Sequence, residues 1–299
     1  MGRAYFAIGV TTVLWAGNFT AAKIGTAELD PWFITAVRIV LTAAVYWVLL
    51  PADQRRFTRE EIRAVLPLGL LGIAVNHACF AAGIKITTPS HSAVIHALIP
   101  VFVGVAAWLL LHERFGPAGI FGMLLAVAGA LVVVLGVGRA EMRGLWVGDV
   151  LTTVGIAAFS LYTVQGRKVL RTMDSVRAVT LSFFVAAPFM IPVLAWSALV
   201  RQPWDVVTWK GWTSLAYMFV CANLICYRLH IYALRHLKAG QVAAFTTLQP
   251  AIGIGVAVAA GVDRLTPSLA VGAALALAGT VLVQLRPKHQ MRDRGVSLN

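Results

Sequence analysis

Apolar residues run along this chain in blocks of about twenty, separated by short breaks of charge, proline or glycine. A helix rises about 1.5 Å per residue, so each block is about as long as a bilayer's hydrocarbon core is thick. The pattern predicts ten membrane-spanning helices at about 4–22, 32–50, 64–84, 91–111, 117–136, 146–166, 177–199, 212–233, 241–261 and 267–285. The longest break, about 51–63, is charged and leaves no room for a soluble domain. The first block follows Arg3 as in a signal peptide, but its length and Asn18 favour a span.

Part of the pattern occurs twice. The stretches Leu98–Leu135 and Leu248–Leu285 align without a gap, and 12 of 38 positions are identical. The pairs include Pro100/Pro250, Arg114/Arg264, Pro117/Pro267, Gly122/Gly272 and Gly129/Gly279. Ala, Leu and Val match by chance in apolar text, whereas proline, arginine and glycine in register do not. Each copy spans five helices, an odd number, so the second enters the membrane from the opposite side. The expected architecture is an all-α integral membrane protein with ten transmembrane helices, arranged as two inverted five-helix repeats around a central cavity. The first repeat is 1–138, the second is 139–288, and 289–299 is a cytoplasmic tail. Such duplication is the plan of secondary transporters, with the substrate site between the repeats near mid-membrane.

Composition agrees with lipid as the solvent: 59% of residues are hydrophobic and 12% are charged, against about 25% charged in a soluble domain. The net charge of +13 does not indicate a nucleic-acid partner, because Lys and Arg sit in the short breaks rather than on one basic face. With the N-terminus inside, the inner segments hold 16 of them and the outer ones 7, with Arg38 and Arg228 inside spans. This bias puts both termini in the cytoplasm, and the membrane is expected to be a bacterial-type plasma (inner) membrane. Eight of nine tryptophans fall near span ends, and Trp15 does not. Cys79, Cys221 and Cys226 lie in apolar runs and read as packing residues. No GxxxxGK[ST], G-x-S-x-G or HExxH is present, so no enzyme, cofactor or metal site is expected.

Residues 80–135, "FAAGIKITTPSHSAVIHALIPVFVGVAAWLLLHERFGPAGIFGMLLAVAGALVVVL", resemble the EamA-type repeat of the drug/metabolite transporter superfamily. The marks are a proline in helix 4, an acidic–Arg pair after it and a Gly-spaced helix 5. "IYALRHLKAGQVAAFTTLQPAIGIGVAVAAGVDRLTPSLAVGAALALAGTVLV" resembles the second copy, with Asp263 where the family usually has Glu. "LWAGNFTAAKIG", Arg38 in helix 2 and "GDVLTTVGIAAFSLYTVQGRKV" also resemble family segments, so the resemblance covers essentially the whole chain. It implies an inverted-repeat carrier that exports small metabolites. The length and layout are most similar to the superfamily's amino-acid exporters, aromatic ones included.

Polar and aromatic residues inside spans need a reason. Helix 1 places Thr11, Trp15, Asn18, Phe19 and Ala22 on one face. Helix 3 offers Asn76, His77 and Phe80; helix 4 offers Ser92, His96 and Pro100 at successive i+4 steps. Helix 6 carries Phe159, Tyr162 and Thr163, helix 8 Asn223 and Tyr227, and helix 9 Phe245, Thr246 and Gln249. Singly, each reads equally as interhelical packing. As a set, the substrate-cavity candidates are Trp15, Asn18, Phe19, Asn76, His77, Phe80, His96, Phe159, Tyr162, Asn223, Tyr227 and Gln249. Pro100 and Pro250 are hinge candidates, because each lacks an N–H and frees the carbonyl four residues earlier, at His96 and Thr246. Gly122/Gly129 and Gly272/Gly279 read as close helix packing. Glu113–Arg114 and Asp263–Arg264 read as ties between loops and helix ends.

All twelve carboxylates fall in loops or at span ends, which argues against proton-for-cation drug exchange. Arg38 is expected to lie shallow, snorkelling outward or pairing locally. The expected function is secondary export of neutral or zwitterionic metabolites, amino acids foremost, by alternating access between two states of the halves. The partners are a small-molecule substrate, the bilayer and, if export is proton-coupled, protons taken up at His77 or His96. The rivals are a carrier for a nucleobase, nucleotide sugar or drug, and a channel or scaffold. A nucleotide-sugar carrier needs several cavity cations, and a channel needs a polar stripe that these spans lack.

Overall fold

The computed structural model describes residues 2–111, 116–136, 139–169, 172–237, 245 and 247–284. Every regular element among them is helical. α1 is Gly2–Glu28 and α2 is Pro31–Leu49. α3 (Arg59–Leu68) runs through a π segment, Gly69–Val75, into α4 (Asn76–Ile86). α5 (Pro89–His96), α6 (Ile99–Leu111) and α7 (Pro117–Leu135) follow, then α8 (Arg139–Val169) and α9 (Ser175–Trp196), which Ser197–Arg201 extends. α10 (Trp209–Tyr217) passes through a second long π segment, Met218–Ile225, into α11 (Cys226–His236). α12 (Gln249–Ala259) and α13 (Pro267–Gln284) end the described chain. Six helical runs among the described residues are long and apolar enough to cross a membrane. Glu113, Arg114, Thr246 and the tail 289–299 lie outside the described residues.

Short polar residues set the helix starts. Asp30 accepts from the N–H groups of Trp32 and Phe33 at 3.0 and 3.4 Å, and Pro31 opens α2. Asp174 caps α9 in the same way, accepting from Val176 N at 2.9 Å. Thr58 and Glu61 form a reciprocal capping box on α3. The two prolines mark breaks. α5 stops at His96 and α6 restarts at Ile99, one residue before Pro100, while α12 starts at Gln249, one residue before Pro250. At the first break Val101 N bonds Leu98 O instead of the Ala97 carbonyl. The Thr280 hydroxyl on α13 supplies the missing donor to Ala97 O at 2.9 Å.

The halves interlock. α1 packs on α10, α11 and α12, while α8 packs on α4, α5 and α6; α2 lies against α9 and α7 against α13. The α7–α13 pair meets backbone to backbone. A Cβ on Gly129 would sit 2.4 Å from Ala276 N, and one on Gly279 would sit 2.3 Å from Ala126 N. The largest buried cluster joins Phe19, Ile34 and Ile84 to Met218, Ile254 and Leu269. Outward faces are apolar, as lipid requires, with Phe6, Leu124 and Leu199 exposed. Trp32, Trp108, Trp146, Trp196, Trp204, Trp209 and Trp212 are exposed as well, the belt expected of membrane edges.

At the end where α1 finishes, Glu28 caps the start of α10. Its Oε2 accepts from the backbone N–H of Thr208 and of Gly211, both at 2.9 Å, and its Oε1 accepts from the Thr208 hydroxyl at 2.8 Å. These bonds, first of all from the Thr208 hydroxyl, hold the Glu28 carboxyl below its usual range. A depressed carboxyl contributes stability that is present above its unfolded value, about 4.3, and is lost as pH falls through the lower folded value. Glu28→Gln is therefore expected to lower Tm at neutral pH and to flatten the acid-side fall in Tm. Melting curves of both proteins in detergent across that pH range check it; parallel acid-side slopes would refute the cap.

Candidate functional site

The structure gathers the candidate residues into two aromatic groups. In the first, Phe19 on α1, Phe80 on α4 and His96 on α5 stand edge to face, with centroids 4.9 Å (Phe19–His96), 5.6 Å (Phe80–His96) and 6.0 Å (Phe19–Phe80) apart. Gly253 of α12 closes on this group, since a Cβ there would lie 3.0 Å from the Phe19 ring. The His96 Nδ1–H donates to Ser92 O at 2.7 Å, which leaves Nε2 for another partner.

The second group is a chain of rings. Trp15 meets Tyr227 at 5.9 Å, Tyr227 meets Phe183 at 5.4 Å, and Phe183 meets His77 at 6.1 Å. Trp15 also faces His230 at 5.2 Å and donates its indole N–H to Ala222 O at 2.9 Å. The His77 Nδ1–H donates to Ile73 O at 2.7 Å.

Asn223 binds this group to Arg38. Its Oδ1 accepts from an Arg38 terminal nitrogen at 2.6 Å, and its Nδ2 donates to the Thr42 hydroxyl at 3.1 Å. The Tyr46 hydroxyl donates to Leu224 O at 3.0 Å in the same π segment. Arg38 corrects the sequence expectation. It is neither shallow nor locally paired: it is 3% exposed, seven residues into α2, and held from a helix 185 positions away. The sequence places it about 10 Å along the helix, but only the fold supplies Asn223 and buries the guanidinium.

The remaining candidates are spread around these groups. Asn18 has a buried Oδ1 with no hydrogen-bond partner among the described residues. Asn76, Gln249 and Pro100 are half-buried and Pro250 is buried. Phe159 and Tyr162 stack on each other at 5.9 Å. Tyr162 presses against the π segment, where a Cβ on Gly72 would come within 2.3 Å of its ring. Sequence reasoning passed over Phe183 and His230, aromatic text that only their neighbours single out.

It also passed over a polar latch at the α1–α2 end. Asp149 on α8, 5% exposed, accepts from the Thr87 hydroxyl and from His91 Nδ1–H, the latter at 3.1 Å. Lys23 Nζ donates to Lys85 O at 3.0 Å and to Thr87 O at 2.6 Å. Asp263 Oδ2 accepts from Ser90 N at 3.1 Å, so this carboxylate does tie a loop to a helix end as expected. Beside the latch, a cleft of about 600 Å³ opens between Lys23, Glu28, Lys210 and Ser214.

An apolar helical bundle with a buried arginine, amides and aromatic rings at its centre is built as a membrane carrier rather than as an enzyme. The chain belongs to the EamA-like transporter family, whose sequence model matches residues 2–135 and 146–285. An uncharacterized transporter of Archaeoglobus fulgidus is 26% identical over 294 residues, covering 96% of this chain and 99% of that relative. A probable terminal-alkyne amino-acid exporter of Streptantibioticus cattleyicolor is 24% identical over 300 residues, covering 98% and 97%. The uncharacterized transporter YyaM of Bacillus subtilis is 23% identical over 293 residues, covering 95% of each. A solved crystal structure shares the fold at a TM-score of 0.64 and 19% identity, covering 94% of this chain and 96% of that one.

Proposed function

We propose that this transporter exports small neutral or zwitterionic metabolites, amino acids with apolar or aromatic side chains foremost, by alternating access between two inverted five-helix halves. The observation that carries the reading is the mirrored packing: α1 lies on α10–α12 of the other half as α8 lies on α4–α6. The π segments at Gly69–Val75 and Met218–Ile225, and the breaks before Pro100 and Pro250, support it at matching places in each half. Halves built alike can exchange conformations, which is how inverted-repeat carriers expose one site to each side in turn. On this reading ten helices cross a bacterial-type inner membrane with both termini inside, and the latch end faces out. The rings around Trp15 and Phe19 suit an apolar side chain, and the amino-acid exporter among the relatives supports that substrate class.

Efflux of a panel of amino acids from liposomes containing the purified protein tests the proposal, with and without a pH gradient. Pro100→Ala restores a donor at the α5–α6 break and is expected to cut flux severalfold while leaving substrate binding within about twofold. Amino-acid flux no greater than in empty liposomes would overturn the substrate reading. Undiminished flux in Pro100→Ala would overturn the hinge. Flux indifferent to the gradient would exclude proton coupling at His77 or His96.

A further inference from the structure

A guanidinium buried at membrane depth is costly unless an acid or a full set of acceptors repays it. Arg38 has neither. The ion pairs seen among the described residues are Arg177–Glu61 and Arg201–Asp30, and the buried Asp149 is taken by the His91 ring and the Thr87 hydroxyl. Arg38 spends one terminal nitrogen on Asn223 Oδ1 at 2.6 Å and faces the Met218 sulfur with the other at 3.9 Å. Its Nε is buried with no partner among the described residues. Tyr227 and His77, both members of the ring chain, lie within electrostatic reach of it. An uncompensated planar fork within electrostatic reach of two of those rings matches one ligand chemistry: a carboxylate that carries an apolar group.

We propose that Arg38 binds the carboxylate of the transported molecule, with Asn223 holding the guanidinium in place when the site is empty. This rests on the export of small organic molecules proposed above and adds the group that must be present on them. The carboxylate takes the Nε–H and a terminal N–H in a two-point bond, the geometry that distinguishes Arg from Lys. The side group lies along Trp15, Tyr227 and Phe183. The cationic site then becomes neutral, so the loaded carrier no longer buries a lone charge when the halves move. A substrate without the carboxylate leaves that charge unanswered and is discriminated against.

The test compares phenylalanine with analogues that lack its carboxylate or its amine. Thermal stabilisation and liposome counterflow are measured for phenylalanine, phenylalanine amide, phenethylamine and phenyllactate, on the parent protein and on Arg38→Gln and Arg38→Lys. The parent is expected to favour phenylalanine over its amide and over phenethylamine, both of which keep the amine and lack the carboxylate, by at least about tenfold. Arg38→Gln brings acid and amide within about twofold, and Arg38→Lys, which keeps the charge but loses the fork, falls between. Phenyllactate binding through Arg38 while phenylalanine fails would overturn the amino-acid reading and sustain the carboxylate site. A parent that binds amide as well as acid, or binds no carboxylate, refutes the proposal even if neither variant folds. An acid preference that survives in Arg38→Gln refutes it too.

Discussion

Replacing Gly129 with Val is expected to lower Tm by about 2–12 °C and to reduce the yield of monodisperse protein, more than any surface substitution would. The cause is the closeness of α7 and α13. A single methyl at Gly129 meets Ala276 N at 2.4 Å and Gly272 O at 2.6 Å. Both are backbone atoms, so no side chain can turn aside to make room. The helices must separate, and each overpacked position costs about 1–3 kcal/mol before the lost contacts are counted. At this chain length each kcal/mol corresponds to about 2–4 °C. Gly279→Val should match it, since its Cβ would meet Ala126 N at 2.3 Å and Gly122 O at 2.5 Å. Gly255→Ala is the control. Nothing lies within 4 Å of its Cβ position on α12, so the higher helix propensity of alanine should raise stability by about 1 kcal/mol. Thermal melts that rank the three variants in any other order would contradict the close-approach account.

Asp149→Asn is expected to open the latch end. The carboxylate reaches from α8 across to the Thr87 hydroxyl and to His91, so one side chain fastens the α4–α5 turn to the other half. Side chains of the pair are only 7% exposed, and leaving a buried hydrogen-bonding group unsatisfied costs about 1–3 kcal/mol. That is enough to shift a two-state balance by about tenfold or more. Ser92, fully buried below the latch, reports the change. In a background with Cys79, Cys221 and Cys226 replaced, Ser92→Cys should react with a membrane-impermeant maleimide at least about tenfold faster when Asp149 is Asn. A lower Tm with unchanged labelling would make Asp149 a prop of the fold and nothing more.

How much of this was legible in the sequence differs from element to element. The apolar runs that became α2, α7 and α9 announce themselves, because lipid demands unbroken apolar text of a set length. Pro100 and Pro250 announce their breaks for an equally local reason, the missing N–H. α1 extends further than its apolar run, to Glu28, because Lys23 and Glu28 find bonding partners on other helices. The depth of Arg38 and the role of His91 were hidden for the same reason: their partners lie 185 and 58 positions away. The candidate rings were identified residue by residue, but their division into two groups, and the insertion of Phe183 between Tyr227 and His77, depend on how the halves mesh.

The paired π segments carry a mechanical consequence. A π turn closes its hydrogen bond at i→i+5 rather than i→i+4, so each of these rods holds one residue of slack in its winding. Taking up that slack would turn everything beyond it by about 100° and advance it by about 1.5 Å. On α4 the residues carried round are His77 and Phe80; on α11 they are Tyr227 and His230. Each rod is thus wound like a ratchet with a single tooth, and unwinding that tooth would give its side chains a second, discrete bearing instead of a continuous range of bend.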